Sequence, residues 1–475
     1  MNAHVETTQQ IHLTSLLTRQ RASFLRDGPP AAGQRKDDLK KLKAALLARR
    51  EALAKAVSSD FGHRSAYETA ILDLVPTVHG IDYLRRRLGA WMRPQRRHVA
   101  LHFRPGAAYV LYQPLGVVGI VSPWNYPVSL ALMPLATAIA AGNRAMIKPS
   151  EFTPATNEVL IAMLGEIFPE EQVATVTGGA DVGAAFAALP FDHLIFTGST
   201  NVGRSIMRAA SDNLVPVTLE LGGKSPAIVE RGFSVTRAAA SIAFGKLANA
   251  GQTCIAPDYA LVQENDIEPF IAAYQEAVHR LYPDGASDAA YGSIINAKHY
   301  ARLSALIEDA RQKGARIVQI GPAVTANADR ERTLPPTLIL KATPEMTVLQ
   351  EEIFGPILPV VAYHGIDDAL AYVNARPRPL ALYLFGRDRE VRRRVLERTT
   401  SGNVTINDSI LHFAVEDLPF GGVGASGIGA YHGEEGFKTL SHAKGVFAQA
   451  RWNFAGLLRS PFGRVADLLL AYFLR

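Results

Sequence analysis

Apolar positions recur along this chain at two intervals, one helical and one extended, and the switching between them outlines the fold. In residues 37–62, DDLKKLKAALLARREALAKAVSSDFG, one helical stripe carries Leu39, Leu42, Leu46 and Leu53. Asp37 or Asp38 can cap that helix, and Gly62 lies just past its end. From Leu115 the pattern alternates. LGVVGIVSP (115–123) is an apolar strand closed by turn residues, and MPLATAIAAG (133–142) reads as a buried helix. RAMIKPS (144–150), QVATVTGG (172–179) and FDHLIFTGS (191–199) read as strands, while PATNEVLIAMLGEIF (154–168) and TNVGRSIMRAAS (200–211) read as helices. Such strand–helix–strand units predict a parallel sheet covered by helices, with sites at the carboxyl ends of its strands.

After VTLELGGKSP (217–226) the alternation restarts. PAIVE is a strand, 235–250 a helix and DYALVQE a strand, with further units as far as LALYLFGRD (380–388). This predicts a second α/β domain of comparable size. HVALHFRPGAAYVLYQPLG (98–116) fits neither domain and predicts two short strands around RPGA, a projecting hairpin. Near the end, Val465, Leu468, Leu469 and Tyr472 share one helical face, with Arg464 and Asp467 off it. That face suits a docked terminal helix, a partner surface or a membrane-surface helix, docking being the ordinary case.

Composition narrows the class. A chain of 475 residues exceeds what a single core usually holds, so two or three domains are expected. With 48% hydrophobic and 20% charged residues the balance is that of a globular protein. MNAHVETTQQIHL lacks the cationic and apolar regions of a secretory leader, and no apolar run approaches the roughly 18 residues of a spanning helix. The single cysteine, Cys254, excludes an internal disulfide framework and fits a reducing, cytoplasmic setting; no Cys/His cluster has metal spacing. The net charge of +6 is concentrated in YLRRRLGAWMRPQRR (83–97) and GRDREVRRRVLER (386–398). Without a nucleic-acid motif these read as solvated helix faces, not a nucleic-acid footprint.

Several short stretches carry chemistry. In HLIFTGSTNVG a strand gives way to a helix through Gly198 and Ser199, with Gly203 one turn on; backbone N–H groups there can hold a phosphate, although the spacing is not G-x-G-x-x-G. Lys148 and Glu151 in MIKPSE stand at a strand end, as ribose ligands or as ordinary surface charges. In SPWNYP, Asn125 lies between Trp124 and Tyr126 in a turn stiffened by two prolines. Its amide can donate to a developing oxyanion or satisfy its own turn. Glu220 in LELGGKSP is a carboxylate in an apolar strand, either paired or kept as a base of raised pKa. In GQTCIAPDY, Cys254 follows a helix at a glycine turn; a nucleophilic thiol needs a partly exposed place that favours thiolate.

These stretches occur in a fixed order. SPWNYP, KPSE, FTGSTNVG and LELGGKSP come first, then GQTCIAPDY with its cysteine 34 residues after Glu220, then QEEIFGP (350–356) and LPFGGVGASGIGAYHG (418–433). Together they resemble the NAD(P)-dependent aldehyde dehydrogenase superfamily, from about Leu39 to about Ser441. TCIAPDYALV and PFGGVGASGIGAYHG narrow the resemblance to the class-three branch and the coniferyl aldehyde dehydrogenases. The resemblance implies Cys254 as nucleophile, Glu220 as general base and Asn125 as oxyanion donor beside the Cys254 N–H. It places Trp124, Lys148, Glu151, Gly198, Ser199, Gly203, Glu352 and Phe354 against the cofactor, NAD with NADP tolerated. Tyr126, His412 and Phe420 would line the aldehyde tunnel, and no metal is implied. It also implies an α/β fold with a Rossmann-like NAD(P)-binding domain (1–97 with 117–222) and a catalytic α/β domain (223–410). A small β oligomerisation arm (98–116 with about 423–445) would support a homodimer, and a tail (446–475) would dock or touch a membrane surface. The activity implied is oxidation of a hydrophobic, coniferyl-type aldehyde to its acid, or alternatively of a medium- or long-chain fatty aldehyde.

Overall fold

The computed structural model describes residues 8–100, 103–321, 332–453 and 455–474. The first seven residues, part of the stretch read for a leader, lie outside these. The leucine stripe of 37–62 is there, with Leu39, Leu42, Leu46 and Leu53 fully buried. It belongs to two helices, Ala32–Ala48 and Arg50–Phe61, that meet at Arg49, where φ is −107° and ψ 10°. Because the first helix starts at Ala32, neither Asp37 nor Asp38 caps it. Asp38 is buried instead and accepts from the side chains of Gln34 and Gln172.

Among the described residues sixteen strands make three sheets. β1 (Gln95–Arg97) pairs antiparallel with β2 (Ala107–Pro114). β3 (Val117–Val121), β4 (Arg144–Lys148), β5 (Val173–Thr175), β6 (His193–Thr197) and β7 (Val217–Glu220) form a parallel sheet in the order 7-6-3-4-5. β8 (Pro226–Val229), β9 (Tyr259–Gln263), β10 (Arg316–Gln319), β11 (Thr337–Leu340), β12 (Ile357–Tyr363), β13 (Ala381–Phe385) and β14 (Asn403–Ile406) form the next, in the order 10-11-12-9-8-13-14, antiparallel only at β10. β15 (Gly427–Ile428) pairs with β7 at the edge of the first parallel sheet, and β16 (Ser441–Ala448) pairs with β2 along its whole length. Both parallel sheets are apolar on each face, as helix-covered sheets must be. His193–Thr197, Pro226–Val229 and Ala381–Phe385 are buried throughout.

The hairpin differs from its reading. Its first strand is Gln95–Arg97, ahead of His98, and RPGA lies in the connection, where the Gly106 N–H donates to the Phe103 carbonyl. Gly427 and Ile428 belong to the first parallel sheet, not to the arm. The tail also differs. The helix Arg464–Phe473 buries only Ala466, while Val465, Leu468 and Tyr472 are exposed. β16 is itself mostly exposed, and the helix that follows keeps most of its surface in solvent. Among the described residues no helix is long and apolar enough to cross a membrane. On the helix Arg389–Arg398 the arginines lie on the surface among acids: Arg393 pairs with Glu390 and Glu397, and Arg394 and Arg398 pair with Asp367.

Candidate active site

The site is set by how the chain crosses between its two parallel sheets. β7 ends at Glu220 and β8 begins at Pro226. So short a link turns the carboxyl end of the first sheet toward the amino end of the second. The expectation of carboxyl-end sites therefore holds for the first sheet only. Trp124 and Asn125 follow β3, Gly198 and Ser199 follow β6, and Glu220 ends β7. Strand order reverses between β3 and β6, which is where an open α/β sheet leaves a crevice. From the second sheet, Cys254 precedes β9, and Glu352 and Phe354 precede β12.

Cys254 sits on a constrained loop. The helix Val235–Leu247 gives way to a turn in which Asn249 (φ 53°), Ala250 (φ 50°) and Gly251 (φ 76°) are successively left-handed. For residues with a Cβ this costs roughly 1–2 kcal/mol each. Hydrogen bonds hold it in place. The Asn249 N–H donates to the Glu68 carboxylate, and Asn249 Nδ2 donates to the Asn125 carbonyl at 2.9 Å. Gln252 Nε2 donates to the Asn249 and Ser293 carbonyls, each at 3.0 Å, and Gln252 Oε1 accepts from the Ile295 N–H at 2.9 Å. Asn125 Nδ2 donates to the Gln252 carbonyl at 3.1 Å, so this amide serves the cysteine loop and not its own turn. An amide nitrogen carries two N–H groups, which leaves one for a ligand.

Two cavities meet at Cys254. One, with about 590 Å³ of free space, is bounded by Trp124, Asn125, Gly198, Ser199, Glu220, Glu352 and Phe354. The other is narrower and mainly apolar, and Tyr126, Leu130, Met133, Ile410, Phe413, Phe420 and Tyr431 form much of its wall. Cys254 alone lines both. Trp124 meets Phe354 edge-on with ring centres 5.4 Å apart, joining the walls of the larger cavity. In the narrower one the Tyr126 hydroxyl bonds Thr253 Oγ1 at 2.7 Å, and Arg64 lies 4.8 Å from the Tyr126 ring.

The charges are unusual. Glu220 is buried with neither carboxyl oxygen partnered, and burial holds its pKa well above the ordinary range. Burial, with Glu352 and Glu220 nearby, pushes the half-buried Cys254 thiol up to about 12. The site thus favours the thiol, against the expectation of a thiolate-favouring place, because burial disfavours the charged form and the nearby acidic groups add to that. Burial and then Asp258 raise Glu352 to about 7, opposed by the Gly223 N–H, Lys224 and Arg302. The Glu352 carboxylate lies where a Cβ on Gly222 would come within 2.1 Å of it.

Other candidates fall elsewhere. Lys148 and Glu151 form a 2.9 Å pair at the end of β4, outside the walls of both cavities. Gly203 lies in the helix Thr200–Ser211, where a Cβ would meet Leu221 at 2.7 Å; it serves close packing of helix on sheet, while Ser199 caps that helix. His412 stands behind the tunnel wall. It stacks on Phe420 at 5.8 Å, bonds Thr405 Oγ1 at 2.8 Å and does not line the cavity, because Phe420 covers it. Sequence reasoning missed Lys224 and Asp258, a buried ion pair. Lys224 also donates to the Val348 and Glu351 carbonyls and Asp258 accepts from the Ile353 N–H, which fixes the segment bearing Glu352. Both stand in motifs already singled out, and their charge beside apolar strands was the available signal.

Residues 25–446 match the aldehyde dehydrogenase family. Over its full length the chain is 51% identical to the probable coniferyl aldehyde dehydrogenase of Pseudomonas aeruginosa, covering 99% of that protein. Its fold superposes on the substrate-bound state of Staphylococcus aureus AldH with a TM-score of 0.91 at 38% identity, covering 97% of this chain and 99% of that one. It also superposes on a Mycobacterium tuberculosis aldehyde dehydrogenase complexed with NAD+, with a TM-score of 0.84 at 27% identity, covering 94% and 91%. The chain belongs to the aldehyde dehydrogenase family and is an enzyme of aldehyde oxidation.

The left-handed turn gives a direct test. A Cβ on Gly251 would lie 2.3 Å from the Gly355 carbonyl oxygen. Gly251→Ala should therefore destabilise the fold by roughly 2 kcal/mol or more, and turnover should fall further than the loss of folded protein explains. Denaturant unfolding with parallel turnover assays checks both; unchanged values would show that the turn tolerates a side chain.

Proposed function

We propose that this enzyme oxidises a hydrophobic aromatic aldehyde of the coniferyl type to its carboxylic acid with NAD(P)+, through covalent attachment to Cys254. The observation that carries this reading is the position of Cys254, the one side chain shared by a polar crevice and an apolar cavity. The crevice fits a dinucleotide in volume and place. It opens at the strand-order reversal, with the start of the helix Thr200–Ser211 on its wall, and unpartnered carboxyl oxygens of Glu220 face it. Gly198 and Ser199 would hold the phosphates, Trp124, Glu352 and Phe354 the nicotinamide end, and Lys148 with Glu151 the adenosine ribose.

As Cys254 Sγ adds to the aldehyde carbon its thiol proton passes to solvent, and a tetrahedral thiohemiacetal oxyanion forms. The free Asn125 N–H and the Cys254 N–H stabilise its oxygen; losing one such donor costs roughly 3 kcal/mol. NAD(P)+, held by Trp124, Glu352 and Phe354, would supply the hydride acceptor for oxidation of this adduct to a thioester. Glu220 then removes a proton from water, which attacks the thioester, releases the acid and restores the thiol. The raised pKa of Glu220 orders these events. Burial favours its neutral form, which adds no second negative charge beside the forming oxyanion, and hydrolysis needs its ionised form. An acylating, CoA-dependent reaction would not need that base.

The apolar cavity suits a flat conjugated aldehyde, since ring contacts contribute roughly 0.5–1.5 kcal/mol each. The named activity of the Pseudomonas aeruginosa relative supports the same substrate class. The exposed apolar helix Arg464–Phe473 favours the second reading, a fatty aldehyde met at a membrane surface. For assembly we propose a homodimer built on the three-stranded sheet, whose outer strands β1 and β16 have free edges.

Three measurements test the reading. Glu220→Gln should keep a pre-steady-state burst of NADH and lose most of the steady rate. In the parent enzyme the steady rate should rise with pH as Glu220 ionises, and the variant should lack that limb. A missing burst would place Glu220 earlier in the reaction. Next, Lys148 and Glu151 bear on cofactor choice. Burial pulls the Glu151 carboxyl up, but the Lys148 hydrogen bond, a backbone N–H and the Lys148 charge together outweigh it and keep the group below its ordinary value. It is therefore charged at neutral pH and should repel a 2′-phosphate. NAD should be preferred, and Glu151→Gln should raise kcat/KM for NADP relative to NAD; an unchanged ratio would remove Glu151 from the ribose. Finally, kcat/KM for cinnamaldehyde should exceed that for acetaldehyde at least about tenfold, or roughly 1.4 kcal/mol. Equal values, or hexadecanal ahead of coniferyl aldehyde, would overturn the aromatic reading.

A further inference from the structure

The cavity that leads to Cys254 is hydrocarbon and aromatic ring for most of its wall, and the exceptions include two groups that the chemistry above does not use. Glu416 lines it, and Glu416 Oε2 is shut off from solvent with no protein donor in reach. His432 lines it too, only 7% exposed, and its Nδ1 is likewise buried without a partner. The His432 ring stacks on Phe420 with centres 4.9 Å apart and planes 24° apart, which fixes its orientation. The two groups share one stretch of wall. Gly433 has φ +55°, and a Cβ there would lie 2.3 Å from the Glu416 carbonyl oxygen, so the backbone after His432 presses on Glu416. The Tyr83 hydroxyl donates to the Asp417 carboxylate and anchors the same loop from the helix Val75–Trp91.

Buried polar atoms are almost always satisfied, and an unsatisfied one in a native cavity calls for a ligand atom. Burial raises Glu416 to about 7 and lowers His432 to about 4, so near neutrality the carboxyl is shared between its two forms and the imidazole is neutral. As carboxylate, Glu416 accepts from an O–H group; as acid, it donates to the same oxygen.

We propose that Glu416 hydrogen-bonds a hydroxyl carried on the ring of the substrate, with His432 Nδ1 as a second polar contact, and thereby selects hydroxylated aromatic aldehydes over their unsubstituted analogues. This rests on the aromatic-aldehyde reading and names the substrate feature that the cavity recognises. A bare ring would bury the carboxyl unpaired, and sites built around a hydroxyl discriminate strongly against ligands that lack it.

The test is the ratio of kcat/KM for 4-hydroxycinnamaldehyde to that for cinnamaldehyde, measured in the parent enzyme, Glu416→Gln and Glu416→Leu. Taking the ratio within each variant cancels any loss of folded enzyme. The parent ratio should be at least about tenfold. It should collapse towards one in Glu416→Leu and stay intermediate in Glu416→Gln, whose amide still offers a donor and an acceptor. A parent ratio near one, or an equal ratio in all three proteins, overturns the proposal; a purely structural role would lower both rates together and leave the ratio alone. Failure of the aromatic reading is distinguishable, because it appears as both cinnamaldehydes falling behind acetaldehyde or hexadecanal whatever their mutual ratio.

Discussion

A thiol placed where two sheets abut needs a backbone that cannot relax, and the rest of the site depends on that constraint. The turn at 249–251 is unfavourable for Asn249 and Ala250 taken alone. It persists because Glu68 and Asn125 bond it from distant parts of the chain, and the adjacent Gln252 ties it to Ser293 and Ile295. Hydrogen bonds tie Asn125 to the cysteine loop through both its carbonyl and its amide, so the Cys254 thiol and the Asn125 amide are positioned as one unit. Arg64 joins that unit: fully buried, it donates to the Asn125 carbonyl at 2.9 Å. Such over-determination is how strained backbone survives at a site, and it confines the reacting atoms to a narrow set of positions.

Around this rigid centre the protein keeps carboxyl groups that its own side chains leave unneutralised. Glu220 and Glu416 both hold buried oxygens without partners. Each costs stability, because a desolvated carboxyl without a donor loses what water would have given it. Contrast Lys224 and Asp258, equally buried but paired and hydrogen-bonded to the backbone of 348–353. The paired charges brace a segment. The unpaired ones face cavities, where a ligand or water can complete them. For these four groups, the satisfied pair lies in the frame and the two unsatisfied carboxyls lie on cavity walls.

Much of this was legible in the sequence, and the gaps have physical causes. The alternation of apolar strands and helices from Leu115 to Asp388 located both parallel sheets, because their buried strands carry continuous apolar runs that periodicity detects. The site stretches SPWNYP, FTGSTNVG and GQTCIAPDY were visible because glycine and proline punctuate strand ends. The side of the second sheet that bears Cys254 was not visible, since it follows from the shortness of the link between Glu220 and Pro226 and not from any local motif. His412 and Phe420 read alike as tunnel residues; only packing shows that one ring covers the other. The break at Arg49 lacks a proline or glycine to announce it. An amphipathic face on 464–473 looks the same whether it lies on this chain or waits for something else, and only the exposure of Val465, Leu468 and Tyr472 in the folded chain decides the matter.

The geometry also separates two recognition problems that one thiol must solve. The crevice wall comes from strand ends, backbone N–H groups and paired charge, which suits a large polar molecule held the same way each time. The substrate wall comes mainly from the loops around Tyr126, 410–420 and 431–433, together with Leu130 and Met133. Side chains on those loops can change without disturbing either sheet, because the nucleophile is fixed from the other direction by Gln252 and Asn249. The proposed aldehyde specificity could therefore vary while the loop at Cys254 stays in place, and the role proposed for Glu416 is one of substrate choice, separate from the reacting centre.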